Sequence, residues 1–424
     1  MRGPLRLFVT PGLSARVWVL QAGVVLNFFG NGLVGPFLLI YLHFVRGLPL
    51  AEAGLAIGGG GVLATTSGLV AGPLIDRIGP RNCLAAAMAC NAIAYASYTQ
   101  VHTAWAAFGV GAAVGIGTGT YGPSVQTLLS ALVQPGQRAA ALSQQRMSAM
   151  IGLGLGAVAG GFIAAGGSAG DYVLLLLLDA GTFLGFALLV TRLPNPVARR
   201  DGKSGGYAQA FADRRLILLA VVNLAMVSAG VAPMLIVLPA FAKGQAHVPA
   251  AAIGIVFALN TATILLAQLR ITRAVANRDP MRVLAIGAGL WTMAWLVVLA
   301  SGYRLEGWLA ASFIALAMIA YAIGECIYTA VLTPTAAAIA PDELRGRYLG
   351  VMGFAWQAGF TVGPAVGGFL VGRLPLAFPA AGVVACAILA ILLPRISRLV
   401  QVADTASQTG ARLTDETDHG EGRL

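Results

Sequence analysis

Twelve apolar runs divide this chain almost end to end, at 17–44, 51–75, 82–100, 104–132, 140–166, 171–192, 215–242, 249–270, 281–301, 307–333, 346–372 and 376–394. About 20 apolar residues in a helix cross the roughly 30 Å of a bilayer core. In hydrocarbon each backbone N–H and C=O must find its partner inside the protein, so runs of this kind form helices. Composition points the same way: of 424 residues 58% are hydrophobic and 10% charged, with a mean hydropathy of +0.81. A soluble domain carries roughly 25% charged residues, and disorder requires low hydrophobicity. The fold class expected is an all-α membrane protein with twelve transmembrane helices.

The formal net charge is +11, a value that in a soluble chain points to nucleic acid. Here no soluble stretch is long enough for a binding domain, and the charges instead report topology. With a cytoplasmic N-terminus, 22 Lys and Arg fall on the cytoplasmic side and only four, Arg46, Lys243, Arg304 and Arg373, on the other. Short basic loops resist translocation, so both termini are expected in the cytoplasm. The first run follows Arg2, Arg6 and Arg16 without a small-residue cleavage site and is expected to stay attached.

Cys83, Cys90, Cys326 and Cys386 all lie in apolar runs and read as packing residues, without disulfide or metal. The four histidines lie in or near loops and the tail, with no HExxH, nucleophile elbow or Walker loop. These observations exclude an enzyme and direct ATP drive, and no cofactor is expected.

Residues 191–215 form the longest internal loop, which is basic and bears Pro, Gly and Ser, with a flexible tract expected at Ser204–Gly206. It separates a first bundle (1–190) from a second (216–394), and the polar tail 395–424 is expected to be disordered. The halves repeat. At an offset of 200, Pro49, Gly54, Pro80 and Leu84 match Pro249, Gly254, Pro280 and Leu284. At 207, Tyr121 and Arg138 match Tyr328 and Arg345, and Gly152, Gly156, Gly160 and Gly161 match Gly359, Gly363, Gly367 and Gly368. Such a 6+6 duplication implies two pseudo-symmetric six-helix bundles with a site between them near the midplane.

The loop after run 2 reads Gly72-Pro-Leu-Ile-Asp76-Arg77-Ile-Gly79-Pro-Arg81-Asn82. It resembles the loop 2–3 signature of the major facilitator superfamily except at Asn82, where that family has a basic residue. Run 11 carries Gly350-x8-Gly359-x3-Gly363-Pro364-x2-Gly367-Gly368. This string is similar to the signature of antiporters in that superfamily, which there belongs to helix 5. Here run 5 holds the weaker copy, with Ala157 in place of the proline. The resemblance implies the major facilitator fold, a cytoplasmic gate at Gly72, Asp76, Arg77, Gly79 and Arg81, and a bacterial drug:proton antiporter in the inner membrane. It further implies a monomer in the bilayer, with a small molecule and protons as partners and the proton gradient as energy source. The helix-4 arginine of many such antiporters has no equivalent in run 4, and run 1 has asparagines in place of an acidic residue.

Charges inside the runs are the candidates for proton coupling, because an ionised side chain at the bilayer centre costs about 2.5–3.5 kcal/mol on insertion scales. They are Glu325 in run 10, Arg146 in run 5 and Asp179 in run 6. Glu325 is the leading proton acceptor, since burial disfavours a charged carboxylate. For Asp179 a buried hydrogen-bonding role is the stronger reading. Arg146 either pairs with a carboxylate or snorkels to the surface. Candidates for the cavity wall are Asn27 and Asn31 in run 1, Tyr121 and Gln126 in run 4, Tyr321 and Tyr328 in run 10, and Trp356 and Gln357 in run 11. Gly359, Gly363, Pro364, Gly367 and Gly368 are read as a helix-packing strip. These residues suggest export of small amphipathic compounds; a proton-linked importer and a non-transporting sensor remain open.

Overall fold

The computed structural model describes residues 14–134, 137–196, 211–341 and 344–396. Linker residues 197–210, with the Ser204–Gly206 tract, and the tail from 397 lie outside the described residues. Every apolar run is helical: α1 (Ala15–Val45), α2 (Leu50–Ile78), α3 (Pro80–Tyr98), α4 (Ala104–Leu132), α5 (Arg138–Ala164), α6 (Ala169–Thr191), α7 (Arg214–Gln245), α8 (Ala250–Val275), α9 (Pro280–Arg304), α10 (Gly307–Ile339), α11 (Arg345–Arg373) and α12 (Ala377–Ile396). Among the described residues nine are long and apolar enough to cross a membrane, or ten when α2, bent by 52° between Leu50–Gly68 and Val70–Ile78, is one span. The exceptions are α3, which carries Arg81, Asn82 and Asn91, and α4, which is rich in weakly apolar glycine.

Local chemistry explains the helix boundaries. Ser168 and Asp171 form a reciprocal capping box that opens α6. The Asp279 carboxylate accepts from the Arg282 N–H, with Pro280 next in the first turn of α9. Pro36 lacks an N–H, so α1 is interrupted at 35–37, resumes at Leu38–Ile40 and ends in a π turn at Tyr41–Val45. Two π segments, Val227–Val231 and Pro233–Val237, widen α7 around Pro233 for the same reason.

Between α2 and α3, Gly79 has φ +84°, a left-handed conformation that glycine adopts without strain. Asn195, just past α6, clamps this turn: its Nδ2 donates to Ile78 O (2.9 Å) and its Oδ1 accepts from Arg81 N (3.1 Å). Asn82 accepts from Arg81 Nε and Nη2, both at 3.1 Å, and so orients the guanidinium. Asn195→Ala is expected to cost about 1–3 kcal/mol, read as a lower Tm. Asn195→Asp, which keeps only the acceptor, should lose part of that.

Packing makes the duplication physical. In the first half α1 lies on α5 and α6, α2 on α4, and α3 on α4 and α6; in the second, α7 lies on α11, α8 on α10 and α9 on α10. The halves meet through α2 with α11 and α5 with α8. Exchanging the halves converts one of these junctions into the other.

Glycine spacing sets both kinds of contact. Gly359, Gly363 and Gly367 share one face of α11 and pack on Val227, Ala232 and Val237 of α7. Pro364 and Gly368 turn instead to α2, where a Cβ on Gly54 would lie 2.6 Å from Pro364 O and one on Gly368 2.7 Å from Leu50 O. On α5, Gly152, Gly156 and Gly160 pack on α1, while Gly161 meets Ala250 and Gly254 of α8. Without side chains the backbones approach closely enough to gain dense van der Waals contact, which is what holds helices together where lipid is as apolar as leucine.

Candidate functional site

Between the halves lies a cavity of about 360 Å³. Its first-half wall is Asn31 of α1, Ile57, Gly60, Gly61 and Ala64 of α2, Tyr95 and Tyr98 of α3, and Gly111, Val114, Gly115 and Thr118 of α4; Ile236 of α7 and Trp356, Gln357 and Phe360 of α11 close the other side. The small residues of α2 and α4 form one continuous surface because Gly60, Gly111 and Gly115 let the two backbones touch. Three of the expected cavity residues, Asn31, Trp356 and Gln357, line this space. Tyr95, Tyr98 and Phe360 were not anticipated; their only signal was an aromatic position within an apolar run.

An aromatic ladder leads from the cavity into the second half. Phe360 packs on Trp356 (centroids 5.2 Å apart), Trp356 stacks on Tyr328 (5.9 Å), and Tyr328 and Tyr321 both lie 5.8 Å from Trp291. Trp291 Nε1 donates to Tyr321 O at 3.0 Å, and the Tyr328 hydroxyl donates to Asn223 Oδ1. Tyr321 and Tyr328 therefore support the wall and do not line it. Trp291, the fully buried hub, was not singled out in the sequence.

Glu325 stands at the far end of this ladder. Its Oε2 and the Tyr321 hydroxyl one turn away are both buried and close enough to interact, without a well-formed hydrogen bond between them. The charge it senses is Arg146 of α5, from the opposite half, which is exposed and forms no salt bridge with it. The helices are held in this register by Met150 of α5, one turn beyond Arg146, packing on Ile264 of α8 and Ala322 and Cys326 of α10. Thr329 Oγ1 lies 2.9 Å from Glu325 O and 3.3 Å from Gln268 Oε1, tying α8 to the same turn of α10. The structure thus places Glu325 within electrostatic range of Arg146 across the junction, without a direct ion pair.

The other expected residues lie elsewhere. Asp179 is fully buried in the first half, with Oδ1 accepting from the Thr182 hydroxyl at 3.2 Å and Oδ2 unpaired. It presses on Gly30 of α1 and lies near Tyr95, well away from Glu325 on α10. Asn27 is buried behind Asn31, whose Nδ2 donates to Asn27 O at 3.0 Å. Tyr121 packs edge-on against Phe28 and Phe186, and Gln126 is exposed on α4. Neither lines the cavity.

At the end of the bundle bearing the α1–α2 and α7–α8 turns, Lys243 of α7 crosses to the first half. Its Nζ lies 2.5 Å from the Tyr172 hydroxyl and 5.8 Å from the centre of the Phe44 ring. The α2–α11 and α5–α8 glycine contacts lie toward this same end. At the opposite end Gly72 has nothing within 4 Å of an added Cβ, and Asp76 and Arg77 are exposed and without a hydrogen-bond or ion-pair partner among the described residues. Among the described residues Asp76 and Arg77 make no polar contact that would close this end.

Comparison with known proteins places these features in context. The model of the Major Facilitator Superfamily matches residues 21–322 and 218–414. A curated Bacillus subtilis (strain 168) protein, "Uncharacterized MFS-type transporter YqjV", is 21% identical over 359 residues, covering 84% of this chain and 86% of its own. Among solved structures, the nucleoside transporter NupG superposes with a TM-score of 0.73 at 14% identity, over 90% of this chain and 99% of its own. A bacterial homologue of the human lysosomal transporter Spinster, in an inward-facing and unoccupied conformation, superposes with a TM-score of 0.71 at 14% identity, over 92% of this chain and 96% of its own. At these identities the structural likeness speaks for the fold.

Proposed function

Because the chain belongs to the major facilitator superfamily, and is therefore a membrane-embedded transporter of a small molecule and not an enzyme, we propose that it is a proton-coupled exporter of small amphipathic compounds in the drug:proton antiporter branch. It works by alternating access, the two halves rocking about the cavity between them. The observation that carries this reading is Glu325, a buried carboxyl beside the Tyr321 hydroxyl and within electrostatic range of Arg146 across the junction. A charged carboxylate there is favoured by the Tyr321 hydroxyl on its own helix and by Arg146, and only the Arg146 support comes from the other half. A rocking motion that draws α5 from α10 removes that support and favours proton uptake, while their return favours release. Proton binding and conformation are thereby linked, as antiport requires. The cytoplasmic end is then the one bearing the start of α1, the end of α12 and the Asp76 loop, in the inner membrane of a bacterium, and the protein acts as a monomer with no cofactor beyond the gradient.

The test is reconstitution into liposomes that are acidic inside and hold a pH dye. A panel of amphipathic compounds added outside is expected to raise the internal pH as each enters in exchange for protons. A fall in internal pH on addition to neutral liposomes would instead identify proton-linked import, and no proton movement with any compound would end the proton-coupled reading.

A further inference from the structure

The cavity between the halves carries no formal charge. None of its lining residues is Asp, Glu, Lys or Arg. Neither buried carboxyl lines it: Asp179, behind Tyr95, is fully buried with one oxygen engaged by Thr182, and Glu325 lies beyond the Trp356–Tyr328–Trp291–Tyr321 ladder. An ion entering this space gives up hydration that no opposite charge replaces. Aromatic faces return part of that loss to a cation and none of it to an anion.

What the lining does offer is flat and polar at its edge. Tyr95 and Tyr98 line it from the first half and Trp356 and Phe360 from the second, aromatic side chains against which a planar group can stack. Two amides have capacity to spare. Asn31 uses one N–H on Asn27 O, which leaves its Oδ1 and the second N–H available. Gln357 reaches Gly61 O at 3.5 Å, the limit of a hydrogen bond, which leaves its Oε1 available. A donor–acceptor edge on the ligand satisfies both, and an apolar ligand leaves both unpaired.

We infer that this cavity selects uncharged planar compounds carrying an amide-like hydrogen-bonding edge, and discriminates against cations of the same shape. On the proton-coupled reading given above, which this step deepens, exchanging a neutral substrate for one proton moves one net charge per cycle. Export is then driven by membrane potential as well as by the pH difference. A monovalent cation exchanged for a proton would move none.

The probes are quinoline-3-carboxamide and its N-methylquinolinium cation, which share a plane and an amide. Binding to the purified full-length protein is followed by quenching of tryptophan fluorescence. The neutral amide is expected to bind at least tenfold more tightly than the cation, and Asn31→Asp, which places a carboxylate in the lining, to reverse that order. Equal or tighter binding of the cation by the unaltered protein, or no binding of the amide, overturns the inference. In liposomes without a pH difference, an inside-positive potential of 100 mV, worth about 2.3 kcal/mol per charge, should accumulate the amide up to about 50-fold. Accumulation of the cation in its place, insensitive to potential but driven by a pH difference, overturns the selectivity and leaves proton coupling intact. Selective binding of the amide with no flux under either gradient supports the selectivity and overturns the exporter reading.

Discussion

In Glu325→Gln, proton-driven transport is expected to fall by about 100-fold or more, while exchange of labelled for unlabelled substrate stays within about threefold of the original protein. Glutamine keeps the size of the side chain and both polar positions but carries no ionisable proton. It also spares the fold, because Oε2 of Glu325 makes no hydrogen bond that would be lost. Exchange requires only that the loaded protein rock between its two faces, whereas proton-driven transport requires that the substrate-free return carry a proton on the coupling carboxyl. The variant therefore separates coupling from structure: a misfolded protein loses both activities, and one that lacks only the coupling carboxyl loses net flux alone. The measurement is paired, counterflow and pH-driven flux on the same liposomes. Unchanged proton-driven flux would remove Glu325 from the mechanism. Arg146→Gln should keep proton-driven flux measurable but move its pH optimum upward, since the cation that favours the carboxylate is gone.

Gly161→Leu should trap the protein with the Lys243 end parted. A Cβ at Gly161 would already lie 2.8 Å from Gly254 Cα and 3.0 Å from Ala250 O, both backbone atoms of α8 that have no rotamer to escape into. Overpacking of this kind costs about 1–3 kcal/mol. That is enough to shift a two-state equilibrium by about 5- to 150-fold, because it penalises only the conformation in which α5 and α8 touch. Spin labels at Ser168 and His247 should then report a longer distance than in the original protein, and transport should fall to background. Gly72→Leu is the control: nothing lies within 4 Å of its added Cβ, so the same pair of labels should not move. A Gly161→Leu protein with unchanged distance and flux would mean that the α5–α8 contact does not limit opening.

Much of the architecture is legible in the residues themselves. Twelve runs become helices because hydrocarbon offers the backbone no other partner. The turn at Gly79, the capping box at Ser168 and Asp171 and the Asp279–Pro280 start of α9 are local patterns, closed within four residues. The internal repeat is readable too, and the matched glycines of α5 and α11 occupy equivalent junctions.

The cavity was only partly legible. Asn31, Trp356 and Gln357 were anticipated and line it; Asn27, Tyr121 and Gln126 were anticipated and do not, while Tyr95, Tyr98 and Phe360 line it unannounced. In a soluble protein the apolar stripe of a helix reveals its inner face. A helix in a bilayer is apolar toward lipid and toward its neighbours alike, so that signal is missing. An asparagine in such a helix can equally face a cavity, as Asn31 does, or sit buried behind it, as Asn27 does.

Local sequence therefore determined the number of helices, their ends, the duplication and the presence of three charges inside the membrane. Only the tertiary structure decided that Glu325 lies within electrostatic range of Arg146 across the halves, that Asp179 is sealed within the first, and that the cavity between the halves is uncharged. The reason is that these relations depend on which glycine faces permit two backbones to touch. That match is made between helices far apart in the chain and is written in no single one of them.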